Sequence, residues 1–383
     1  MGVYLDHAAS TPPRPETLAA WARTQATIGN PSSVHGHGRA ARALLEDARE
    51  RFAAALGAHP TEVVFTAGGT ESVNLALTGL WRAGRPSGRD RVIIGAAEHH
   101  ASLDAAAALA TDGATVELAG VDDLARVRLD ALEALLEHPE TVAVVGLLLA
   151  NNEVGTIERV DAVRKLSTDR GVPLHWGAVA AIGRWPVDFA SSGAAAMSIA
   201  GHKIGAPSGT GALLVRRGIA LEPIIHGGGQ QLARSGTVDV AGAVALAVAA
   251  ELAVAELSDH TIHLLELESR LRSALVSAVP EVVLRGDLIE RLPGTVHVTI
   301  PDVDGESLVL LLDRAGISAS MGSACRAGVA ETSHVLLAMG LDERTARGAL
   351  RLTLGRGSTE GDVAAAVAAI EAAVPMARAA FSV

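Results

Sequence analysis

The side chains best suited to covalent or phosphate chemistry in this 383-residue sequence stand directly after apolar runs of strand-like length. Gly201-His-Lys203 follows Ala196–Ala200, and an amine at a strand end can form a Schiff base with a carbonyl, although a lysine taken alone is more often a solvated surface residue. Thr66-Ala-Gly-Gly-Thr-Glu71 follows the strand pattern Glu62–Phe65 and opens a helical one. Small residues and a Thr at a helix start offer backbone N–H groups and a positive dipole end to a phosphate, or form an ordinary tight turn with a capping Thr. Glu98-His99-His100 closes Arg91–Gly95; with no Cys or spaced carboxylate beside it, no metal site is expected, and the imidazole either caps a helix or stacks on an aromatic ring. Asn151-Asn-Glu-Val-Gly-Thr156 closes Val142–Leu149 with more polarity than a structural loop requires. Cys325 is the only cysteine, which excludes an internal disulfide and any multi-thiolate metal site within one chain. It is either a small buried hydrophobe or a nucleophilic thiol, and its Gly-interrupted setting, Ser320-Met-Gly-Ser-Ala-Cys-Arg-Ala-Gly328, is poorly suited to burial. No Walker motif occurs, and Gly36-His-Gly-Arg-Ala-Ala41 lacks the preceding strand that a dinucleotide fingerprint needs.

The elements that must carry these groups alternate. Periodicity predicts helices over Gly38–Leu56, Gly69–Leu80, Ser102–Ala110, Asp122–Glu137 and Val160–Arg170, interleaved with strands at Glu62–Phe65, Arg91–Gly95, Thr115–Leu118, Val142–Leu149, a run entering His175, Ala196–Ala200 and Gly211–Val215. That is the rhythm of a mostly parallel α/β sheet, in which ligands sit beyond the carboxyl ends of the strands. After His226–Gly229 the pattern changes to long helices, about Val238–Leu257 and His260–Val279, then strands near Glu281–Leu284 and Thr295–Ile300 and helices at Leu308–Ala315, Ser333–Met339 and Asp362–Ala380. Residues 1–250 are expected to form a large domain and 251–383 a smaller C-terminal α+β domain, with the first residues packing against the latter.

Composition narrows the class. With 32 Lys+Arg against 43 Asp+Glu the formal net charge is −11, which argues against nucleic acid as a partner. Hydrophobic residues make up 49%, mainly Ala, Val and Leu, enough for a large core and too many for a disordered chain. The longest apolar stretches, such as Val240–Ala250, fall short of a bilayer span, so no membrane association is expected. Residues 1–10 carry neither a basic nor an apolar leader segment, so the expected location is cytoplasmic.

Taken together, the polar runs resemble one family. Tyr4-Leu-Asp-His-Ala-Ala9, Gly29-Asn-Pro-Ser-Ser33, Phe65-Thr-Ala-Gly-Gly-Thr-Glu-Ser72, Glu98-His99, Asn151-Asn-Glu-Val-Gly-Thr156, Gly201-His-Lys203, His226-Gly-Gly-Gly-Gln230, Arg234-Ser-Gly-Thr237, Gly322-Ser-Ala-Cys325 and Arg351-x-Thr-x-Gly355 resemble, in order, the NifS/IscS-type cysteine desulfurases, which are class V aminotransferase enzymes dependent on pyridoxal 5'-phosphate (PLP). The resemblance runs from about residue 3 to about residue 360. It implies a fold type I PLP-dependent transferase, a homodimer with sites at the interface, and conversion of L-cysteine to L-alanine. It makes Lys203 the lysine bonded to the cofactor, with Thr70, the Gly69 backbone and His202 on the phosphate side. His99 would stack on the pyridine ring, Asn151 would lie near the cofactor's O3′ and the substrate, and Thr237 would reach the neighbouring protomer's phosphate. Arg351 would clamp the substrate carboxylate, a task that suits a bidentate guanidinium. Cys325, on a flexible loop, would take the sulfur as a persulfide and pass it to an acceptor protein, an iron–sulfur scaffold or a thiolation protein.

One stretch departs from the family pattern. Where relatives carry His-x-Asp-Ala-x-Gln, this chain reads His175-Trp-Gly-Ala-Val-Ala180. Gly177 replaces the Asp that pairs with the pyridinium nitrogen and Ala180 replaces the Gln near O3′, so the electron sink is expected to weaken. Trp176 is a second expected obstruction of the ring site, and Ala200 stands where many members have a phosphate-binding Ser. Three readings stay open on sequence: an impaired desulfurase, a divergent or engineered class V enzyme with another substrate, and a non-catalytic homologue in sulfur trafficking. Retention of Lys203, His99, Arg351 and Cys325 together favours an enzyme.

Overall fold

The computed structural model describes residues 2–322, 325–326, 329–330 and 332–381, with the backbone alone for 325, 326, 329, 330, 380 and 381. The chain opens with strand β1 (Val3–Tyr4), helix α1 (Pro15–Gln25) and helix α2 (Gly36–Ala55). Alternation follows: β2 (Val63–Thr66), α3 (Gly69–Gly84), β3 (Arg91–Gly95), α4 (His100–Thr111), β4 (Thr115–Ala119), α5 (Leu129–Leu135), β5 (Val142–Leu148), α6 (Val160–Asp169), β6 (Leu174–Gly177), β7 (Ala196–Ala200) and β8 (Gly211–Val215). Strands β2 to β8 form one seven-stranded sheet in the order β2-β8-β7-β6-β5-β3-β4. Only β8 runs antiparallel to its neighbours. Helices cover both faces, so its strands are buried on each side and read as continuous apolar runs such as Val142–Leu148.

Two long helices, α7 (Val240–Ala255) and α8 (Leu257–Ala278), lead to β9 (Val283–Leu284), β10 (Thr295–Thr299), α9 (Gly305–Arg314) and β11 (Ile317–Ser318). After β12 (Cys325–Arg326) and β13 (Val329–Ala330) come α10 (His334–Ala338), α11 (Glu343–Arg347), β14 (Ala349–Thr353) and α12 (Glu360–Phe381). The small antiparallel sheet β14-β10-β9 packs with α8, α9 and α12 around a second apolar cluster that includes Leu264, Leu271, Val296, Leu312 and Ile370. The N-terminus joins that cluster: β1 pairs in parallel with β11, and Asp6 bridges to Thr353. This brings residues 5–8 beside β14. No single described helix is long and apolar enough to cross a membrane.

Three sequence expectations shift. Glu62 belongs to a 3-10 turn rather than to β2, because its carboxylate accepts from the His59 N–H (2.8 Å) and closes a capping box. The helix expected over Asp122–Glu137 begins only at Leu129. Asp122 Oδ1 accepts from Leu124 N (3.0 Å) and Arg126 N (2.9 Å), and Ala125 adopts φ +67°, so the chain turns before it can wind. Trp176 does not obstruct the ring site. Alternation along β6 sends its side chain to the face opposite Gly177, where Nε1 donates to Ser192 O (3.2 Å) inside the large apolar core.

Candidate active site

The carboxyl ends of β2, β5, β6 and β7 converge with residues 6–9 and β14 on one cavity of about 420 Å³. Its walls hold Gly69, Thr70, His99, His202, Lys203 and Arg351, so six of the expected site residues meet there.

At one end stands the N-terminus of α3. Gly68, at φ +151°, lets β2 turn directly into the helix, and Glu71 Oε2 accepts from Ala67 N (2.7 Å) to hold the turn. A Cβ on Gly69 would lie 3.0 Å from Val179 Cγ2 and 3.2 Å from Ala200 Cβ, so only glycine leaves this approach open. The first-turn N–H groups and the dipole of a 16-residue helix make an anion cradle. Ala200 puts a methyl beside that cradle.

Lys203 sits in the one-turn segment that follows β7, and its Nζ donates to the carbonyls of Ala8 and Ala9, the latter at 3.0 Å. Burial, then the positive charge of Arg351, pushes its amine down to about 8, against a smaller opposing effect of Asp6. His99 caps α4 by accepting from Ala101 N at Nδ1 (3.0 Å); burial, then the Lys203 charge, holds the ring down at about 4, so it is neutral, with its proton on Nε2. His202 approaches Ser10 Oγ (3.4 Å) and is likewise pushed down to about 4, chiefly by burial.

Arg351 projects from β14 across the cavity. Its Nη2 donates to Asp6 Oδ1 (2.8 Å) and its Nη1 to Asn152 O (3.0 Å), while its Nε is fully buried with no partner among the described residues. A guanidinium in a cavity wall is suited to a carboxylate ligand. Asp6, Asn152 and Ser320 also line the cavity and received no role from sequence. The Asp of the Tyr4–Ala9 run was the available signal for Asp6, but only the fold shows that it orients Arg351.

Three expected residues lie elsewhere. Asn151 departs from its expected place at the cofactor: its Nδ2 donates to Ala97 O (3.1 Å) and its Oδ1 accepts from Glu153 N (2.9 Å) and Val154 N (3.1 Å), so the amide shapes the loop and leaves Asn152 to face the cavity. Thr237 is exposed and borders a separate hollow with Thr66 and Arg234. Cys325 lies in β12, paired with Ala330, and its side chain falls outside the described residues; Ser320 and Gly322, just before it, line the cavity.

The residues present fit PLP: a lysine of lowered basicity, an anion cradle beside it and a guanidinium share one cavity. Class-V aminotransferase is the family whose model matches residues 3–365. The chain is 47% identical over 380 residues to an IscS-like cysteine desulfurase of Mycobacterium tuberculosis (strain ATCC 25618 / H37Rv), covering 98% of this chain and 97% of that protein. It is 39% identical to the cysteine desulfurase IscS of Methanosarcina thermophila, over 94% of this chain and 89% of the relative. Among solved structures, a NifS-like protein superposes with a TM-score of 0.90 at 35% identity, over 98% of this chain and all of that one. SspA in complex with cysteine gives 0.80 at 28% identity, over 93% of this chain and 99% of that one. With a sheet, a cavity and whole-length relatives that agree, the chain belongs to the class-V aminotransferase family and, within it, to the cysteine desulfurases.

Proposed function

We propose that this chain binds PLP and L-cysteine in the cavity described above, forms L-alanine, and carries the sulfur away on Cys325. The observation that carries the reading is the placement of Lys203 and Arg351 in the walls of one cavity that Ser320 and Gly322, shortly before Cys325 in sequence, also line. Gly69 and Thr70, with His202 nearby, would hold the phosphate, Lys203 would hold the aldehyde end, and neutral His99 would lie beside the ring. Bound there, PLP supplies a conjugated ring that accepts electron density from the substrate α-carbon.

The protein's own groups do the rest. Arg351, oriented by Asp6, would take the substrate carboxylate. The buried Lys203 amine would be placed to move a proton at the substrate α-carbon. The Cys325 thiolate attacks the substrate sulfur: an S–S bond forms, the C–S bond breaks, and its electron pair stays on the β-carbon, which takes a proton to give alanine. In this reading residues 1–250 form the cofactor-binding domain and 251–383 a small domain that presents Cys325. Two chains pair as a homodimer with Thr237 reaching the partner's phosphate, and an iron–sulfur scaffold or thiolation protein accepts the persulfide.

The test is one experiment with 35S-labelled L-cysteine and PLP. The chain as it stands should release alanine and retain label that a reductant removes, whereas Cys325→Ala should retain none. Label retained by Cys325→Ala would sink the role of Cys325; no alanine from the unaltered chain would sink the activity.

A further inference from the structure

A protonated pyridine nitrogen is stabilised by an acidic partner beside it. The titratable groups that line this cavity are Asp6, His99, His202, Lys203 and Arg351. Asp6 is the only carboxylate among the described lining residues, and Arg351 Nη2 already holds it at 2.8 Å. The wall formed by β6 and its neighbours is hydrocarbon and backbone: Leu148, Gly177, Val179, Ala180 and Ala200. Leu148 closes over the strand, its Cδ2 3.0 Å from where a Cβ on Gly177 would stand. An N–H cation placed against such a wall loses its hydration and gains no acceptor.

A second observation lies in the same strand. His175 is on the same face of β6 as Gly177, two residues earlier. Its Nε2 is bonded to Ser198 Oγ (2.8 Å), but its Nδ1 is fully buried with no partner. Nothing on this face of β6 offers a carboxylate, and a Cβ on Gly177 would meet only Leu148 and the Leu147 carbonyl.

We infer that PLP held in this cavity keeps its ring nitrogen unprotonated at neutral pH, and that Gly177 is the residue that sets this state. The inference rests on the proposed function and specifies it: this is a desulfurase site whose cofactor is a weak electron acceptor, so removal of the α-proton leans more heavily on Lys203.

The test loads the full chain with PLP carrying 15N in the ring and reads the nitrogen resonance at pH 7. Borohydride reduction followed by peptide mass analysis reports separately whether Lys203 carries the cofactor; Lys165 is the only other lysine, so the assignment is unambiguous. The expected result is reduced cofactor on Lys203 and the downfield resonance of an unprotonated ring. Gly177→Asp should move that resonance upfield to the protonated position; if crowding against Leu148 prevents folding, Leu148→Ala with Gly177→Asp gives the carboxylate room. A protonated resonance in the unaltered chain would overturn the inference while leaving the desulfurase reading intact, and an unprotonated one in the Asp variant would overturn the role of Gly177. No cofactor on Lys203 would overturn the proposed function and this inference with it.

Discussion

Lys203 should react with carbonyl and acylating reagents at a pH where an ordinary lysine is inert. With its amine pushed down to about 8, roughly 9% of it is neutral at pH 7. A lysine at 10.5 is only about 0.03% neutral there, so burial in this cavity gives roughly a 300-fold gain in reactive amine. The sign follows from the cause: desolvation and the Arg351 charge both disfavour the ammonium, so the neutral form is reached at lower pH. Exposed Lys165, on α6, serves as an internal control for the reagent. Labelling the cofactor-free chain with a trace of a small acylating reagent and measuring both lysine peptides between pH 6 and 11 gives the profile. The Lys203 signal should rise tenfold per pH unit below about 8 and then level. Arg351→Gln, which removes a positive neighbour and frees the Asp6 carboxylate, should move the bend to higher pH. A Lys203 profile still climbing tenfold per unit at pH 10, or one unmoved by Arg351→Gln, would refute this account of how the site activates its amine.

Arg351→Lys keeps the charge and loses the fork; at about 1.5–3 kcal/mol for a charge-assisted hydrogen bond, KM for L-cysteine should rise about 10–100-fold while the absorption of the PLP-loaded protein stays put. An unchanged KM would remove the clamp. Gly177→Asp with Ala180→Gln should raise alanine formation by about tenfold or more, because a carboxylate partner raises the ring-nitrogen pKa by roughly 1–3 units. No gain would place the limiting defect elsewhere. For stability, Glu268→Ala leaves Arg291 buried without its partner at 3.1 Å and Gly294 N without its acceptor, so urea unfolding should show a loss of about 3–5 kcal/mol. A loss within 1 kcal/mol would show that the pair is dispensable.

The alternation of strands and helices was legible because strands buried on both faces leave uninterrupted apolar runs; Arg91–Gly95, Ala196–Ala200 and Gly211–Val215 match the observed strands end to end. Side-chain caps hid the other boundaries: Glu62 and Asp122 each spend a carboxylate on nearby backbone, which periodicity does not register. Helix α1 was not among the elements expected from sequence; its Pro15 occupies the first helical turn, where proline costs no hydrogen bond. In the site, Lys203, His99 and Arg351 were legible as types after strands, but their mutual placement was not. Asp6 and Arg351 are 345 positions apart, and no local spacing connects them. The Asn151–Asn152 pair shows the limit most sharply: both are amides, and only the turn that captures Asn151 decides that its neighbour faces the cavity.

The most direct test of the central claim is the visible absorption of the chain purified with PLP, before and after addition of L-cysteine, beside Lys203→Ala. The account predicts a cofactor band that depends on Lys203, changes when cysteine is added, and is followed by release of alanine. A colourless protein, a band that survives in Lys203→Ala unchanged, or a band indifferent to cysteine would contradict it.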